Sequence, residues 1–360
     1  MSIPKYEQLK VSIRQKIEEG LWQAGDKIPP QRELEEMFSV SRITVKKAVA
    51  DLINEEYLEH PPGKKGLYVR KRENGNGSRT IAVAVDDVTD RFGATLLRGI
   101  EDSLWEKRYH TIICNADRDF NKVEEYFHSF DYGKVDGIIF SPVIDLEYRE
   151  RNARIIELLR QKAIPHILVD RYIPGVQSSY VISDHQESAR LLTDSMIRAG
   201  HRRIMVGTGL ECSGVTDRIR GIRQAFSDNG LEFDEDLLVR VNDNRLYPDT
   251  DPEELEKMRR QISRAGEFTA FYALNNRLLK AGINTMLGLD LDVRSLQLAL
   301  HNEVSKPVPP YTDHIPRVVP PVYKIGWTAA RILMDNIAEG GDTVSQIILK
   351  SEIVYENLAP

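Results

Sequence analysis

The sequence predicts an α/β protein in which a small helical domain with two short strands precedes a larger domain of two lobes, each built on a parallel sheet. Three observations predict this architecture. The 360 residues, 41% of them hydrophobic, are enough for two or three compact cores. Residues 71–79 are polar and glycine-containing, which is typical of a linker. Apolar residues recur at helical spacing before that segment and in continuous runs after it, and continuous runs favour parallel strands buried on both faces.

These patterns predict the domain boundaries. The first domain covers residues 1–72, a linker covers 73–79, and the second domain covers 80–360. Within the second domain we expect one lobe at about 80–170 and 300–320, and another at about 171–299 and 321–360.

Charge and composition exclude several classes of protein. The net charge is −6, yet residues 1–72 carry 14 Lys and Arg against 11 Asp and Glu, so the basic excess is confined to the front. No run of eighteen apolar residues occurs, and the N-terminus has no apolar signal segment, so we predict a cytoplasmic protein without membrane contact. Cys114 and Cys212 are far apart in sequence, which indicates reduced thiols and neither a disulfide nor a metal site.

The first domain contains two helical patterns that are separated by the turn Ser39-Val40-Ser41, which is helix-turn-helix spacing. Ser41 is suited to cap the second helix. Arg42, Thr44 and Lys46 then lie on an open face, where Arg can bind guanine and Thr a base edge or phosphate. Lys46 and Lys47 are expected to contact phosphates.

Two short strand patterns, residues 57–59 and 67–69, follow these helices and predict a hairpin, or wing. Gly63 in the connecting turn would let the backbone approach a phosphate or the minor groove closely. Lys64 and Lys65 supply positive charge beside it.

Residues 5–70 resemble the DNA-binding domain of the GntR family. The resemblance is carried by the segments 29–34 (Pro-Pro-Gln-Arg-Glu-Leu) and 40–45 (Val-Ser-Arg-Ile-Thr-Val), together with the wing glycine Gly63. It implies a winged helix-turn-helix and contacts to operator DNA from Arg32, Ser41, Arg42, Thr44, Lys46 and Gly63. Ile43 departs from the family, which often has a polar Thr there.

In the second domain, polar residues follow the predicted strands at their carboxyl ends, where ligands bind in open α/β sheets. Carboxylates, amides and Arg suit the hydroxyls of a sugar, and Phe92, Tyr172 or Trp327 could stack on its ring. The polar positions are Asp86, Asp87, Asn115, Asp117, Ser141, Asp170, Arg171, Asn275 and Asn276.

Residues 80–360 resemble the effector domain of LacI/GalR repressors, which is itself similar to periplasmic sugar-binding proteins. The carriers include segments 97–102, 135–139, 164–171, 183–190, 199–204 and 218–226. The resemblance implies two lobes that close on a ligand, pairing as a homodimer, and ligand contacts from Phe92, Asp117, Arg171, Arg190, Arg218 and Asn276.

Two departures from that family concern the expected ligand site. Asn275-Asn276 stands where the family usually has Asn-Asp, and Leu300-His-Asn-Glu stands where a Gly-Phe-Asp-Asp-like run is expected. A changed carboxylate alters which hydroxyl or charged group can be bound.

Together, the two resemblances predict a ligand-responsive DNA-binding transcriptional regulator, similar to arabinose-repressor-type GntR regulators. We expect a repressor of carbohydrate-utilisation genes that binds double-stranded operator DNA with two-fold-related half-sites and responds to a sugar. The alternatives are the same regulator with a nucleobase or other metabolite as its effector, and an enzyme fused to a DNA-binding domain. Because the sequence has no Gly-rich phosphate loop, zinc-ligand spacing or Gly-x-Ser-x-Gly motif, we predict no catalytic residue, cofactor or metal.

Overall fold

The computed structural model describes residues 4–18, 21–23, 25–55, 57–70, 78–246, 251–304, 311, 314–340 and 343–356. The chain forms two compact units, Met1–Gly77 and Ser78–Pro360. The predicted linker over residues 73–79 lies outside the described residues except for Ser78 and Arg79. Among the helices that are described, none is long and apolar enough to cross a membrane.

The first unit has three helices and an antiparallel two-stranded hairpin: α1 (Lys5–Glu18), α2 (Gln31–Phe38), α3 (Arg42–Asn54), β1 (Leu58–Glu59) and β2 (Tyr68–Val69). Its core consists of the apolar side chains whose spacing predicts the helices, including Leu9, Ile13, Leu34 and Leu52. Ser39 ends α2 in the left-handed conformation, with φ at 51°, and so turns the chain into α3. These elements confirm the winged helix-turn-helix.

The second unit contains two six-stranded sheets, each covered by helices on both faces as expected for buried parallel strands. The sheet of the first lobe is wholly parallel in the order β13-β7-β6-β5-β3-β4. The elements of this lobe are β3 (Thr80–Val85), α4 (Arg91–Glu106), β4 (His110–Asn115), α5 (Phe120–Ser129), the 3-10 helix Tyr132–Lys134, β5 (Gly137–Phe140), α6 (Tyr148–Gln161), β6 (His166–Val169), β7 (Tyr180–Ser183), α11 (Val322–Glu339) and β13 (Gln346–Leu349).

The sheet of the second lobe has the order β14-β12-β11-β10-β8-β9 and is parallel except for β14. Its elements are α7 (His185–Arg198), β8 (Ile204–Thr208), α8 (Ser213–Asp228), the 3-10 helix Glu235–Leu237, β9 (Leu238–Arg240), the 3-10 helix Asp243–Leu246, α9 (Pro252–Arg264), β10 (Ala270–Ala273), α10 (Asn276–Leu287), the 3-10 helix Val293–Ser295, β11 (Gln297–His301), β12 (Arg317–Val319) and β14 (Glu352–Val354). The two lobes confirm the predicted α/β class.

The predicted lobe boundaries are wrong. β7, α11 and β13 belong to the first lobe although they lie in the ranges predicted for the second, and β12 belongs to the second lobe although it lies in a range predicted for the first. The chain crosses between the lobes after β7, after β12 and after β13. Buried parallel strands of both sheets have the same continuous apolar pattern, so the pattern does not indicate which sheet a strand joins.

The apolar residues in 346–355 predict one last strand, and this prediction is wrong. The chain leaves β13 at Leu349 and enters β14 at Glu352. These two short strands pair in different sheets, β13 with β7 and β14 with β12. A polar pair, Lys350 and Ser351, lies at the crossing.

Two glycines allow α4 and α11 to pack closely in the first lobe. A Cβ atom at Gly326 would collide with the backbone oxygen of Leu96, and one at Gly99 would collide with the backbone oxygen of Tyr323. Backbone atoms cannot move aside as a flexible side chain can, so the helices would have to separate.

We therefore expect Gly326→Ala to lower the free energy of unfolding by about 1–3 kcal/mol, measured by urea denaturation, although alanine favours a helix intrinsically. Gly288→Ala is the matched control, since its added methyl group would meet neighbours only at ordinary contact distances of 3.5 Å and beyond. Wild-type stability for Gly326→Ala would contradict the close approach of these helices.

Candidate functional sites

The start of α3 presents the predicted recognition residues. Ser41 precedes the helix in an extended conformation, and its hydroxyl accepts a hydrogen bond from the Thr44 amide at 3.4 Å. The Ser41 and Thr44 hydroxyls lie 2.9 Å apart. Arg42 and Lys46 are exposed, and neither has an ion-pair partner among the residues that the structure describes. Their charges are therefore available to a polyanion.

Arg32 and Lys47 lie in different surroundings from Arg42. The Arg32 side chain on α2 is 91% exposed and only 3.6 Å from Glu36 of the same helix. The Lys47 ammonium lies 3.5 Å from the centre of the Tyr6 ring, a cation–π contact that connects α3 to α1. Lys47 thus also has a structural role, and its predicted phosphate contact stays a prediction.

The turn between β1 and β2 carries the predicted wing residues. Gly63, Lys64 and Lys65 are all exposed, and Gly63 has φ at 77° with open space around its Cα. At the base of the turn, the His60 ring lies 2.8 Å from the Gly66 carbonyl oxygen. This hydrogen bond closes the turn that carries the two lysines.

Ile43 has an exposed apolar side chain beside these polar groups. It is 80% exposed between Arg42 and Thr44 in the first turn of α3. Ile43, which stands where the family often has a polar Thr, thus lies on the surface that is predicted to face DNA.

The second unit contains a cavity of about 790 Å³ between its two lobes. The carboxyl ends of strands from both sheets and the first turns of α4, α8, α10 and α11 surround it. Its polar lining includes Asp86, Asp87, Arg118, Ser141, Asp170 and Arg171 from the first lobe, and His185, Arg218, Asp243, Asn275, Asn276 and Arg277 from the second.

Arg171 is the central charge of the first-lobe wall. Its guanidinium lies 3.0 Å from the Asp170 carboxylate and 3.5 Å from that of Asp86, and it donates to the Pro142 carbonyl at 2.9 Å. Burial opposes the charge of Arg171, but the two carboxylates raise its pKa above the ordinary value. Burial raises the pKa of Asp86 even though Arg171 favours the ionised form. The group can offer both donors and acceptors to a hydroxylated ligand.

Arg277 and Asp243 form the matching pair on the second-lobe wall, 3.4 Å apart. Burial lowers the pKa of Arg277, and the Asp243 carboxylate partly restores it. Asp243 also accepts hydrogen bonds from the Leu210 amide at 3.1 Å and from the Asn275 side chain at 2.7 Å. These bonds fix the carboxylate at the start of α10, where Asn275 caps the helix.

Arg218 and two histidines lie deeper between the lobes. Arg218 donates to the Leu274 carbonyl at 2.9 Å and lies 3.3 Å from Nδ1 of His185, whose Nε2 donates to the Asp170 carbonyl at 3.1 Å. His301 lies 2.7 Å from the Tyr272 hydroxyl. Burial, reinforced by the Arg218 charge, lowers the pKa of His185 to about 3 and that of His301 well below its usual value. Both rings are therefore neutral at pH 7.

The cavity brings together four of the six predicted ligand residues: Phe92, Arg171, Arg218 and Asn276. Asp117 is not among them because its left-handed backbone (φ 52°) directs the exposed carboxylate to Lys122, with which it forms an ion pair. Arg190 is not among them either. It forms a bidentate ion pair at 2.7 Å with Glu187, one turn earlier on α7, and reaches Asp228 on α8.

The other two predicted stacking residues also lie outside the cavity lining. Tyr172 stacks on Tyr180, with ring centroids 5.5 Å apart, and its hydroxyl donates to Asp217. Trp327 lies beside Arg331 on α11. Phe92 is therefore the aromatic residue of the prediction that remains at the site.

Sequence reasoning missed several charged residues of the cavity, among them Arg118, Asp243 and Arg277. Arg118 forms an ion pair at 2.7 Å with Asp87. Arg118 and Arg277 each directly follow a polar residue that was predicted from a strand end. Their position next to a predicted site residue in the sequence could therefore have indicated them. Asp243 lies in a short 3-10 helix after β9, where no motif marks it.

Two family models match the chain, and they match it in the order of the two units. Residues 5–69 match the model described as bacterial regulatory proteins, gntR family. Residues 78–252 match the model described as periplasmic binding proteins and sugar binding domain of LacI family. The chain joins a gntR-family helix-turn-helix domain to a LacI-type periplasmic-binding domain. Both resemblances that the sequence carries are thereby confirmed.

Two relatives align with most of the chain, across both of its units. The arabinose metabolism transcriptional repressor of Geobacillus stearothermophilus is 24% identical over 99% of this chain and 98% of its own. Catabolite control protein A of Staphylococcus xylosus is 25% identical over 89% of this chain and 94% of its own.

Solved structures confirm the fold of the LacI-type domain. Transcription regulator CcpA of Lactococcus lactis aligns with a TM-score of 0.64 and 22% identity over 78% of this chain and 99% of its own. A LacI family regulator from Enterococcus faecium with bound ribose aligns with a TM-score of 0.60 and 21% identity over 77% of this chain and 97% of its own.

Proposed function

We propose that this regulator is a repressor of carbohydrate-utilisation genes whose operator affinity changes when a sugar or sugar derivative binds between the lobes. The observation that carries the proposal is the cavity whose Arg–Asp pairs come from both lobes, in the same chain as a DNA-binding domain. Relatives support the sugar class, since one is named an arabinose metabolism repressor and solved neighbours contain cellobiose and ribose. We infer no catalytic role, in keeping with relatives that are transcriptional regulators.

The proposed switch uses closure of the lobes around the ligand. Arg171 and Asp86 on one wall and Arg277 and Asp243 on the other would bind hydroxyls together only when the lobes are close. A ligand that prefers the closed state by about 1–3 kcal/mol would change operator affinity by roughly five- to 150-fold. Either sign of the response is compatible with this mechanism.

The proposed DNA-bound form is a homodimer in the cytoplasm, where operator DNA lies. A two-fold dimer presents two recognition helices to half-sites about 34 Å apart, which requires a two-fold-related operator. One apolar surface that could take part in pairing is the edge strand β4, on which Ile112 and Ile113 are exposed. Sedimentation of the full chain should give a dimer.

The DNA-binding half of the proposal is tested with Arg42→Ala. An operator selected from genomic fragments should bind this variant about 1–3 kcal/mol more weakly than wild type, because a bidentate contact to guanine contributes that much discrimination. Arg42→Lys keeps the positive charge but loses the planar guanidinium that can donate two parallel hydrogen bonds to guanine. This variant should therefore lose sequence discrimination, while its DNA binding keeps much of the wild-type salt dependence.

The matched control is Arg259→Ala, which removes an exposed arginine of α9 in the other unit. Operator affinity measured by fluorescence anisotropy should be unchanged by it. If Arg42→Ala bound the operator as tightly as this control does, Arg42 would not read a base.

A further inference from the structure

The charges that line the cavity are unequally matched. Six carboxylates line it, and each lies within 4 Å of an arginine that also lines it. Asp86 and Asp170 pair with Arg171, Asp87 and Asp90 with Arg118, Asp243 with Arg277, and Glu303 with Arg91. Because Arg171 and Arg118 each pair with two carboxylates, four arginines serve the six, and the paired groups together carry a net charge of −2.

Three cations of the same lining have no such partner. Arg218, Lys280 and Lys324 form no ion pair with any residue in the described part of the chain. Arg218 is held by a carbonyl and a neutral histidine, and burial lowers its pKa. Lys280 and Lys324 are exposed. With these three added to the four paired arginines, seven cations face six carboxylates, so the described lining carries a net charge of +1.

The two lysines belong to different lobes. Lys280 lies on α10 of the second lobe, and Lys324 lies on α11 of the first. When the lobes close, the effective dielectric constant of the cavity falls. The unpaired positive charges of the two lysines then repel the other cations of the lining more strongly. An anion between the lobes would remove this cost and favour the closed state.

The amide of Asn276 adds to the same imbalance. It stands where the resemblance to LacI/GalR domains predicts an aspartate, and its Nδ2 donates to the Glu303 carbonyl at 2.8 Å. The position therefore contributes no negative charge to the lining, and the next residue, Arg277, contributes a positive one.

We propose that the effector is an anionic carbohydrate derivative, whose carboxylate or phosphate group is bound by the unmatched charges of Arg218, Lys280 and Lys324. The Arg–Asp pairs of the two walls bind its hydroxyls. This inference rests on the proposed function, because it assumes that the cavity is the effector site. It adds the charge of the ligand, which neither the family models nor the named relatives specify.

The first experiment is a thermal-shift screen of the full chain with matched sets of neutral sugar, sugar acid and sugar phosphate. Suitable sets are glucose, glucuronate and glucose 6-phosphate, the corresponding galactose compounds, and arabinose, arabinonate and arabinose 5-phosphate. Inorganic phosphate and acetate control for binding of simple anions to the basic front domain. We expect an acid or a phosphate to stabilise the protein more than the neutral member of its set.

The outcomes separate the inference from the proposed function. A sugar acid or a sugar phosphate that binds more tightly than its parent supports both and identifies the anionic group. A neutral sugar that binds as tightly as its charged derivatives overturns the anionic effector and leaves the sugar-responsive regulator intact. Silence across every set overturns the sugar class and the anionic inference with it.

Variants test the assigned residues once a charged probe binds. Lys280→Gln and Lys324→Gln should each weaken that probe by about fivefold, as loss of an exposed ion pair of about 1 kcal/mol would. Raising the salt concentration from about 0.1 to about 1 M should weaken wild-type binding and reduce the difference between wild type and variants. Lys162→Gln, an exposed lysine at the end of α6 outside the cavity, is the control. Equal affinities in all three variants would remove the lysines from the site.

Discussion

Arg171→Ala is expected to lower the free energy of unfolding of the LacI-type domain by about 3–5 kcal/mol, because it leaves buried carboxylates without their cation. The Asp86 and Asp170 side chains are only 17% and 8% exposed, and Arg171 contacts both. The same change removes a donor to the Pro142 carbonyl. Urea denaturation of the full chain at pH 7, followed by circular dichroism, measures the loss.

A second substitution tests the cause of that loss. In Arg171→Ala/Asp86→Asn, one of the two uncompensated carboxylates is neutral, so part of the lost stability should return. Asp86→Asn alone should cost less than Arg171→Ala, since burial already raises the pKa of this carboxyl. A loss below about 1 kcal/mol in Arg171→Ala would show that the buried ion pairs contribute little, and additive effects in the double variant would show that the two side chains are not coupled.

Stability should fall steeply below about pH 6.5 because two histidines are buried in the neutral form. The His185 pKa is about 3 in the folded protein, whereas in the unfolded chain it is near the usual value of about 6.5. Between these values the unfolded state binds a proton that the folded state does not, so acid favours unfolding. His185 contributes about 1.4 kcal/mol per pH unit between about pH 6 and pH 4, and the lowered pKa of His301 acts in the same direction.

The contribution of one ring is measured as a difference of slopes. His185→Gln keeps a polar side chain but removes the titrating group, so its stability should depend on pH with a slope about 1.4 kcal/mol per unit smaller than wild type over that range. The carboxylates titrate in both proteins and cancel in the comparison. His128→Gln, an exposed histidine of α5, is the control. Parallel curves for wild type and His185→Gln would contradict the buried neutral ring.

The fold of the first unit could be predicted from the sequence because its signals are local. The apolar spacing of Leu9 and Ile13, the cap at Ser41 and the turn at Ser39 each depend on residues a few positions apart. Once these helices are placed, the residues on their outer face are known as well. Arg42 and Lys46 are exposed, as the pattern predicts.

The cavity was predictable only in part, because its walls come from different segments of the chain. Arg171, Arg218 and Asn276 line the site, and Arg171 could be found from its place after a strand. Arg190 lies outside the cavity lining, and a glutamate one turn away on the same helix binds its guanidinium. A side chain can be placed at a strand end from sequence, whereas its partner is determined by packing.

The sequence by itself determined the order of the domains, the recognition helix and the presence of two parallel sheets, since these follow from periodicity, capping and matching motifs along the chain. Only the tertiary structure decided which strands share a sheet, which of the charged residues face the cavity and which of them pair. The physical reason is distance along the chain. Arg171 lies 85 residues from Asp86, and β13 pairs with β7 although well over a hundred residues separate them, so no local pattern encodes either contact.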